Sequence, residues 1–148
     1  MRRYRKTIRL KDYDYSEAGG YFITICTSSR KDLFGEISNQ EIVLNDMGEV
    51  VEKWWLKLEN KFANVQLDYH VVMPNHIHGI IMISEQKNDV EAIHELPLHR
   101  GKIERRRMLV PKIIGYFKMN SAKCINRLHD SMGKALWQRN YYEHIIRN

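Results

Sequence analysis

The sequence predicts an α+β protein of the ferredoxin-like class, a sandwich in which helices pack on one face of an antiparallel sheet. Two observations predict it. Stretches with strand and helix periodicity alternate in the order β-α-β-β-α-β, and no internal repeat interrupts them. The chain has 148 residues, of which 43% are hydrophobic, enough for one well-buried core but too few for two ordinary domains. We therefore expect residues 1–148 to form a single domain.

The first strand and the first helix have the clearest patterns. Residues 21–27 are rich in β-branched and aromatic residues, which is typical of a strand, and residues 28–31 form a basic turn. A helix is expected to begin at Asn45 or Asp46, since both residue types favour the N-cap position. The apolar residues that recur there at steps of three and four are Met47, Val50, Val51, Trp54, Leu58 and Phe62. The adjacent Trp55 falls at the edge of this stripe, and we expect both tryptophans to pack in the core.

The rest of the chain predicts a hairpin, a long helix and a short final element. Residues 65–73 and 76–84 read as the two strands of the hairpin, joined by a Pro-Asn turn. Pro111 suits the first turn of an amphipathic helix that runs to about residue 129. Residues 135–148 close the chain as a short strand or extended segment, or as the start of a third helix.

Charge and cysteine content restrict the class of protein. The chain carries 24 Lys and Arg against 18 Asp and Glu, a formal charge of +6, which favours a polyanionic partner such as nucleic acid. The polar N-terminus does not resemble a secretory signal, and no apolar run reaches membrane-spanning length. Cys26 and Cys124 show no paired spacing, which is typical of buried free thiols. We therefore expect a cytoplasmic protein with no membrane partner.

Two histidines, His76 and His78, stand one residue apart in the second strand of the hairpin. Because side chains alternate along a strand, both project to the same face, about 7 Å apart along the backbone and within reach of one metal ion. Ile77, Ile81 and Ile83 take the opposite face, so the strand offers one apolar face to a core and one imidazole face to a site. A metal or catalytic role and a simple packed or exposed histidine pair both fit this pattern.

Residues 73–80, Met-Pro-Asn-His-Ile-His-Gly-Ile, resemble the HUH motif of the single-tyrosine transposases of bacterial insertion sequences, especially the REP-associated branch. Residues 21–24 resemble the first strand of that family, residues 114–118 its second helix, and residues 137–147 the segment that leads to its catalytic helix. These matches follow the order of the family and cover nearly the whole chain. The resemblance favours the metal site over the packed histidine pair.

The chemistry that the resemblance implies is DNA transposition, a form of DNA recombination, through transesterification of single-stranded DNA. A tyrosine attacks a phosphodiester, which leaves a 5′-phosphotyrosine and a free 3′-hydroxyl. His76 and His78 would bind Mg²⁺ or Mn²⁺, which polarises the scissile phosphate. Two imidazoles leave an octahedral site incomplete, so a third side chain and water or phosphate oxygens would complete it. Imidazole ligation makes manganese the better suited of the two ions.

The sequence departs from the family pattern at its end. In the family, the nucleophilic tyrosine and the third metal ligand lie on the helix after the segment matched by residues 143–147, and the sequence given ends at Asn148. The resemblance therefore implies a C-terminally truncated transposase domain, and we expect this 148-residue form not to cleave DNA. Tyr141 and Tyr142 precede that helix, where aromatic residues more commonly pack in a core. Tyr142 is the fallback nucleophile within the chain.

Basic residues at three places are candidates for DNA contacts. Residues 85–107 lack periodicity and are predicted to form a flexible basic loop, either a phosphate-binding flap or a solvated segment. Lys118 lies in the family-like part of the second helix, and Arg139 lies near the expected site. The candidate DNA-contact residues are Arg105, Arg106, Arg107, Lys118 and Arg139. The expected partner is single-stranded or hairpin DNA, which the domain could bind as a homodimer.

Two other interpretations remain open. A relative that recognises a DNA hairpin without cutting it would carry the same residues, and the two differ in whether a tyrosine-bearing helix follows residue 148 in the native gene. An unrelated His-x-His metalloprotein fits less well. Cupins are nearly all-β, whereas this chain has two amphipathic helices, and no Asp-His pair follows His78 as in zinc β-lactamases.

Overall fold

The structure is a computed structural model that describes residues 9–10, 13–85 and 108–146. In chain order its elements are β1 (Gly19–Cys26), a 3-10 turn (Ser28–Arg30), β2 (Gly35–Ser38), β3 (Glu41–Leu44), α1 (Asp46–Leu56), α2 (Leu58–Lys61), β4 (Val65–Met73), β5 (His76–Ile83), α3 (Leu109–Leu128) and β6 (Tyr142–Ile146). The predicted loop 85–107, apart from Glu85, lies outside the described residues.

The main sheet has four antiparallel strands in the order β4-β5-β1-β6. This order, with the helices α1 and α3 in the two crossover connections, confirms the predicted ferredoxin-like fold. The Pro-Asn turn joins β4 to β5 as expected, and the final segment forms strand β6. Strand β1 therefore lies at the centre of the sheet, between the histidine-bearing β5 and the C-terminal β6.

A second, two-stranded sheet formed by β2 and β3 was not predicted. Its strands are only four residues long, and its turn residues Asn39 and Gln40 have φ angles of 49° and 64°. Tight hairpin turns with positive φ usually contain glycine, so this turn lacks the usual sequence signal. The hairpin leads directly into α1, whose N-cap Asn45 accepts a hydrogen bond from the backbone N–H of Gly48 at 3.0 Å.

Both tryptophans of α1 pack in the core as predicted, but the one expected at the edge of the apolar stripe lies deeper. Trp55 is fully buried, whereas Trp54 is half-buried and packs against Tyr116 of α3. Trp55 is the deeper of the two because the helix faces Gly79 of β5, whose missing side chain leaves room for an indole ring. The periodicity of α1 alone does not indicate that Gly79 lies opposite the helix.

The main sheet has two unlike faces. One face is buried beneath α1 and α3 and carries the apolar side chains Tyr21, Ile23, Ile25, Ile77, Ile81 and Ile83. The other face, which we call the open face, consists of half-buried or exposed side chains. It is formed by Phe22, Thr24, Cys26, His76, His78, Ile80, Tyr142 and His144. The predicted separation of imidazole and apolar faces on β5 is therefore confirmed.

The cysteines and the helices add two smaller observations. Cys26 and Cys124 are free thiols, and both are half-buried where full burial was expected. The described part of the chain contains no helix that is both long and apolar enough to cross a membrane.

Candidate metal and nucleic-acid site

His76 and His78 point their ring nitrogens at each other on the open face. Their Nε2 atoms lie 2.9 Å apart, and the two rings meet edge to face with centroids 4.3 Å apart. This approach follows from their positions two residues apart on β5, because alternate side chains of a strand share a face. The pair therefore brings two ring nitrogens together at one place on the open face.

The spacing of these nitrogens fits a shared metal ion. At a metal–nitrogen distance of about 2.1 Å, two nitrogens at neighbouring corners of an octahedron lie about 3.0 Å apart. The observed separation of 2.9 Å is close to that value. No group of three or more His, Cys, Asp or Glu side chains within residues 13–85 and 108–146 could hold an ion. An ion between the two histidines would therefore need further ligands.

Each imidazole is held from behind by a second polar side chain. Nδ1 of His76 lies 2.6 Å from Oδ1 of Asn75, and Nδ1 of His78 lies 2.8 Å from Oγ1 of Thr24. The ring of His78 also stacks on Phe22, with centroids 5.4 Å apart. Such contacts fix the orientation of metal-binding histidines in proteins. Both rings are therefore held in position by their neighbours.

The surroundings of both histidines favour the neutral imidazole. Burial lowers the pKa of His76, and the nearby His78 and Arg30 lower it further. Burial also lowers the pKa of His78. A neutral imidazole has the free lone pair that a metal ion or a hydrogen-bond donor needs, whereas a protonated one has none. Both rings are therefore neutral near neutral pH, the form in which an imidazole can bind a cation.

The basic turn after β1 is fixed beside the histidines. The N–H of Thr27 donates to the carbonyl of Asn75 at 2.9 Å, and the N–H groups of Leu33 and Phe34 donate to the carbonyl of Pro74 at 2.8 and 3.0 Å. Residues 27–34 thus wrap around the turn that precedes His76. The arrangement depends on contacts between segments about fifty residues apart, which a linear pattern does not contain.

Arg30 is the basic residue that this turn places near the site. It is exposed, and both Arg30 and Ser29 have positive φ angles, 52° and 56°. Left-handed backbone at two successive non-glycine residues is uncommon and persists where surrounding contacts fix it. The sequence analysis identified a basic turn here but did not connect Arg30 with the histidines.

The two candidate tyrosines lie in different environments. In the strand register Tyr142 is opposite Thr24, and Thr24 is opposite His78, so the three residues form one row across the open face. Tyr142 is 48% exposed. Tyr141 is buried with the guanidinium of Arg9 3.8 Å from the centre of its ring, and burial raises the pKa of its hydroxyl. Only Tyr142 therefore shares the face of the histidines.

The other predicted DNA-contact residues are placed as follows. The Nζ of Lys118 donates to the carbonyls of Gln138 at 2.7 Å and Arg139 at 3.1 Å, and burial lowers the pKa of this amine. Lys118 thus fastens α3 to the segment before β6. Arg139 itself is exposed. Candidate residues 105–107 lie outside the described part of the chain.

Strand β6 is anchored on the helix side by a buried ion pair that the sequence analysis missed. Nη1 of Arg9 lies 2.8 Å from Oε2 of Glu143, whose side chain is only 3% exposed. The same guanidinium donates to the carbonyl of Tyr141 at 2.9 Å. Side chains alternate along a strand. Glu143 therefore lies on the helix side of the sheet, whereas its neighbours Tyr142 and His144 are exposed on the open face.

Comparison with other proteins places this geometry in context. No protein-family model matches the chain. An uncharacterized protein of Haemophilus influenzae is 40% identical over 149 residues, an alignment that covers 98% of this chain and 80% of the relative.

Two solved structures are similar in fold. A REP-associated tyrosine transposase bound to a REP hairpin has a TM-score of 0.50 and 20% identity, covering 95% of this chain and 62% of that protein. This chain therefore spans less than two thirds of that transposase. A candidate transposase from Deinococcus radiodurans R1 has a TM-score of 0.56 and 13% identity, covering 94% of this chain and 87% of that one. The chain belongs to the same family as the Haemophilus influenzae protein and has the transposase-like fold of these two structures.

Proposed function

We propose that the chain is a transposase domain that binds single-stranded or hairpin DNA and carries the metal-binding half of a tyrosine-dependent strand cleavage and transfer site. The observation that carries the proposal is the convergence of the Nε2 atoms of His76 and His78, 2.9 Å apart, on the open face of a transposase-like fold. The binding of a REP hairpin by one structural neighbour supports hairpin DNA as the ligand. We assign the chain to the REP-associated branch, acting in the cytoplasm, on the same grounds.

In this proposal the residues of the open face orient the DNA backbone. His76 and His78 hold Mg²⁺ or Mn²⁺, and the bound ion supplies Lewis-acid polarisation of a phosphate. Asn75 and Thr24 keep the two rings aimed at the ion. Arg30 adds a positive charge where a phosphate would approach. The charge of +6 attracts the polyanion to this surface.

A second function, hairpin binding without cleavage, is favoured by a separate observation. Within the described residues the histidines have no third ligand of the carboxylate, thiolate or imidazole type. Tyr142, the tyrosine on their face, stands two strands from His78, which places their Cα atoms about 10 Å apart. A domain with this arrangement holds DNA more readily than it cuts it.

Fluorescence anisotropy of a labelled DNA hairpin, measured with and without Mn²⁺, tests the proposal. We expect wild-type binding at low salt with a component that depends on Mn²⁺. The double variant His76→Ala, His78→Ala should lose that component and keep the electrostatic part. His129→Ala is the matched control, since His129 is a partly exposed histidine whose ion pair with Asp46, at 3.3 Å, lies on the helices. Absence of hairpin binding at low salt would overturn the proposal.

A further inference from the structure

The hydrogen bonds around His76 and His78 have a defined direction that begins at Asn75. The Oδ1 of Asn75 can only accept, so the Nδ1 of His76, 2.6 Å away, must carry the proton. A neutral imidazole has one N–H, and the Nε2 of His76 is therefore an acceptor. Burial favours this neutral state by lowering the pKa of His76.

The direction continues to Thr24. Since the Nε2 of His76 accepts, the Nε2 of His78, 2.9 Å away, must donate. That leaves the Nδ1 of His78 without a proton, and the hydroxyl of Thr24, at 2.8 Å, donates to it. In the metal-free protein His76 is thus the Nδ1–H tautomer and His78 the Nε2–H tautomer.

For the two histidines to bind one cation together, only His78 has to change the position of its proton. His76 already presents a free lone pair at Nε2, whereas His78 must move its proton from Nε2 to Nδ1. The proton on Nδ1 then needs an acceptor at the position of Oγ1 of Thr24. A hydroxyl can rotate from donor to acceptor, which an amide oxygen or an amide nitrogen cannot do.

We propose that Thr24 is a positioning residue whose hydroxyl serves both tautomers of His78, donating to its Nδ1 in the metal-free protein and accepting from it when a cation is bound. The role of this hydroxyl in the cation-bound protein rests on the proposed function. Its role in the metal-free protein does not. Thr24 suits the role because β1 lies between β5 and β6, and because a β-branched side chain has few rotamers. Because β1 pairs with β5 on one side and with β6 on the other, the position of Thr24 opposite His78 is fixed.

The variant that separates the hydroxyl from the shape of the side chain is Thr24→Val, with Thr24→Ser as the matched control. Both should fold, since valine favours strands and serine is smaller than threonine. In metal-free protein with ¹⁵N-labelled histidine, long-range ¹H–¹⁵N spectra distinguish Nδ1–H from Nε2–H. We expect wild type and Thr24→Ser to show His76 as Nδ1–H and His78 as Nε2–H. Thr24→Val should show the same tautomers, because His76 determines the tautomer of His78, but the ¹⁵N resonance of the His78 Nδ1 should shift because that nitrogen loses its hydrogen-bond donor.

The same three proteins are then titrated with Mn²⁺, with the free ion followed by electron paramagnetic resonance. Loss of a residue that orients a ligand typically weakens metal binding about 10- to 100-fold, which is the effect expected for Thr24→Val. Thr24→Ser should stay close to wild type. An unshifted Nδ1 resonance of His78 in Thr24→Val would overturn the proposal, as would unchanged Mn²⁺ affinity. Failure of the proposed function is distinguishable, because wild type would then bind no Mn²⁺ while its tautomers remained as expected.

Discussion

The side chain of Trp55 occupies the space that a side chain on Gly79 would need. A Cβ on Gly79 would overlap with Cζ2 of Trp55 and lie 2.7 Å from its Cε2. The indole is fully buried and meets the ring of Phe117 edge to face, with centroids 5.4 Å apart, so it cannot move aside without disturbing α3. The glycine that follows His78 therefore lets α1 pack directly behind the histidine pair.

The first prediction concerns this contact. Gly79→Ala should destabilise the protein by about 1–3 kcal/mol, the usual effect of overpacking a rigid core. Urea unfolding followed by tryptophan fluorescence measures the change. Gly115→Ala is the matched control, since Gly115 is at an exposed position of α3 where a Cβ meets nothing within 4 Å, and it should stabilise by about 0.5–1 kcal/mol. Equal stability of the two variants would contradict the role given to Trp55.

The order and type of the main elements could be predicted because each has its own periodicity. The strands β4 and β5, the helix α3 and the N-cap Asn45 all follow local patterns, and all were confirmed. The β2–β3 hairpin was missed because its turn lacks glycine. The greater burial of Trp55 than of Trp54 was missed because it depends on Gly79, a residue on another strand. Local sequence patterns thus predict secondary-structure elements better than they predict which residues pack against them.

The candidate site divides in the same way. His76 and His78 could be identified because their spacing along one strand determines their common face. Thr24 and Arg30 could not, since one depends on the register between β1 and β5 and the other on a loop folded around a distant turn. Tyr142 became a neighbour of the histidines only through the order of the strands. Residues that reach the site through strand pairing or loop folding therefore could not be predicted from the sequence.

The second prediction follows from the lowered pKa values of His76 and His78. In the metal-free protein both rings should titrate below the unperturbed histidine value of about 6.5. Between that value and the lowered pKa values the unfolded state binds more protons, so the free energy of unfolding should decrease as the pH falls. NMR titration measures the first effect and urea unfolding at several pH values the second. In the variant His76→Ala, His78→Ala this part of the pH dependence should disappear, and its persistence would contradict the assignment.

The third prediction concerns Arg30 in DNA binding. If Arg30 neutralises one phosphate of a single strand, Arg30→Ala should reduce the slope of log affinity against log salt by about 0.7. Arg127→Ala, which removes an exposed arginine from α3 on the other side of the sheet, is the control and should leave the slope unchanged. Anisotropy titrations of a single-stranded oligonucleotide at several salt concentrations provide the slopes. Identical slopes for the two variants would show that Arg30 does not contact the DNA backbone.

The last prediction is that residues 1–148 form no covalent adduct with DNA. A nucleophile must come within about 3–3.5 Å of the phosphorus, whereas Tyr142 stands on a strand held in the sheet by the buried pair of Arg9 and Glu143, two strands from His78. Tyr141 is buried, and its hydroxyl is not accessible to a phosphate. Because a tyrosine nucleophile would retain the 5′ end of the downstream fragment, a hairpin labelled at its 3′ end and incubated with Mn²⁺ would reveal an adduct on a denaturing gel. An adduct that survives in Tyr141→Phe and disappears in Tyr142→Phe would prove the prediction wrong and make Tyr142 the nucleophile.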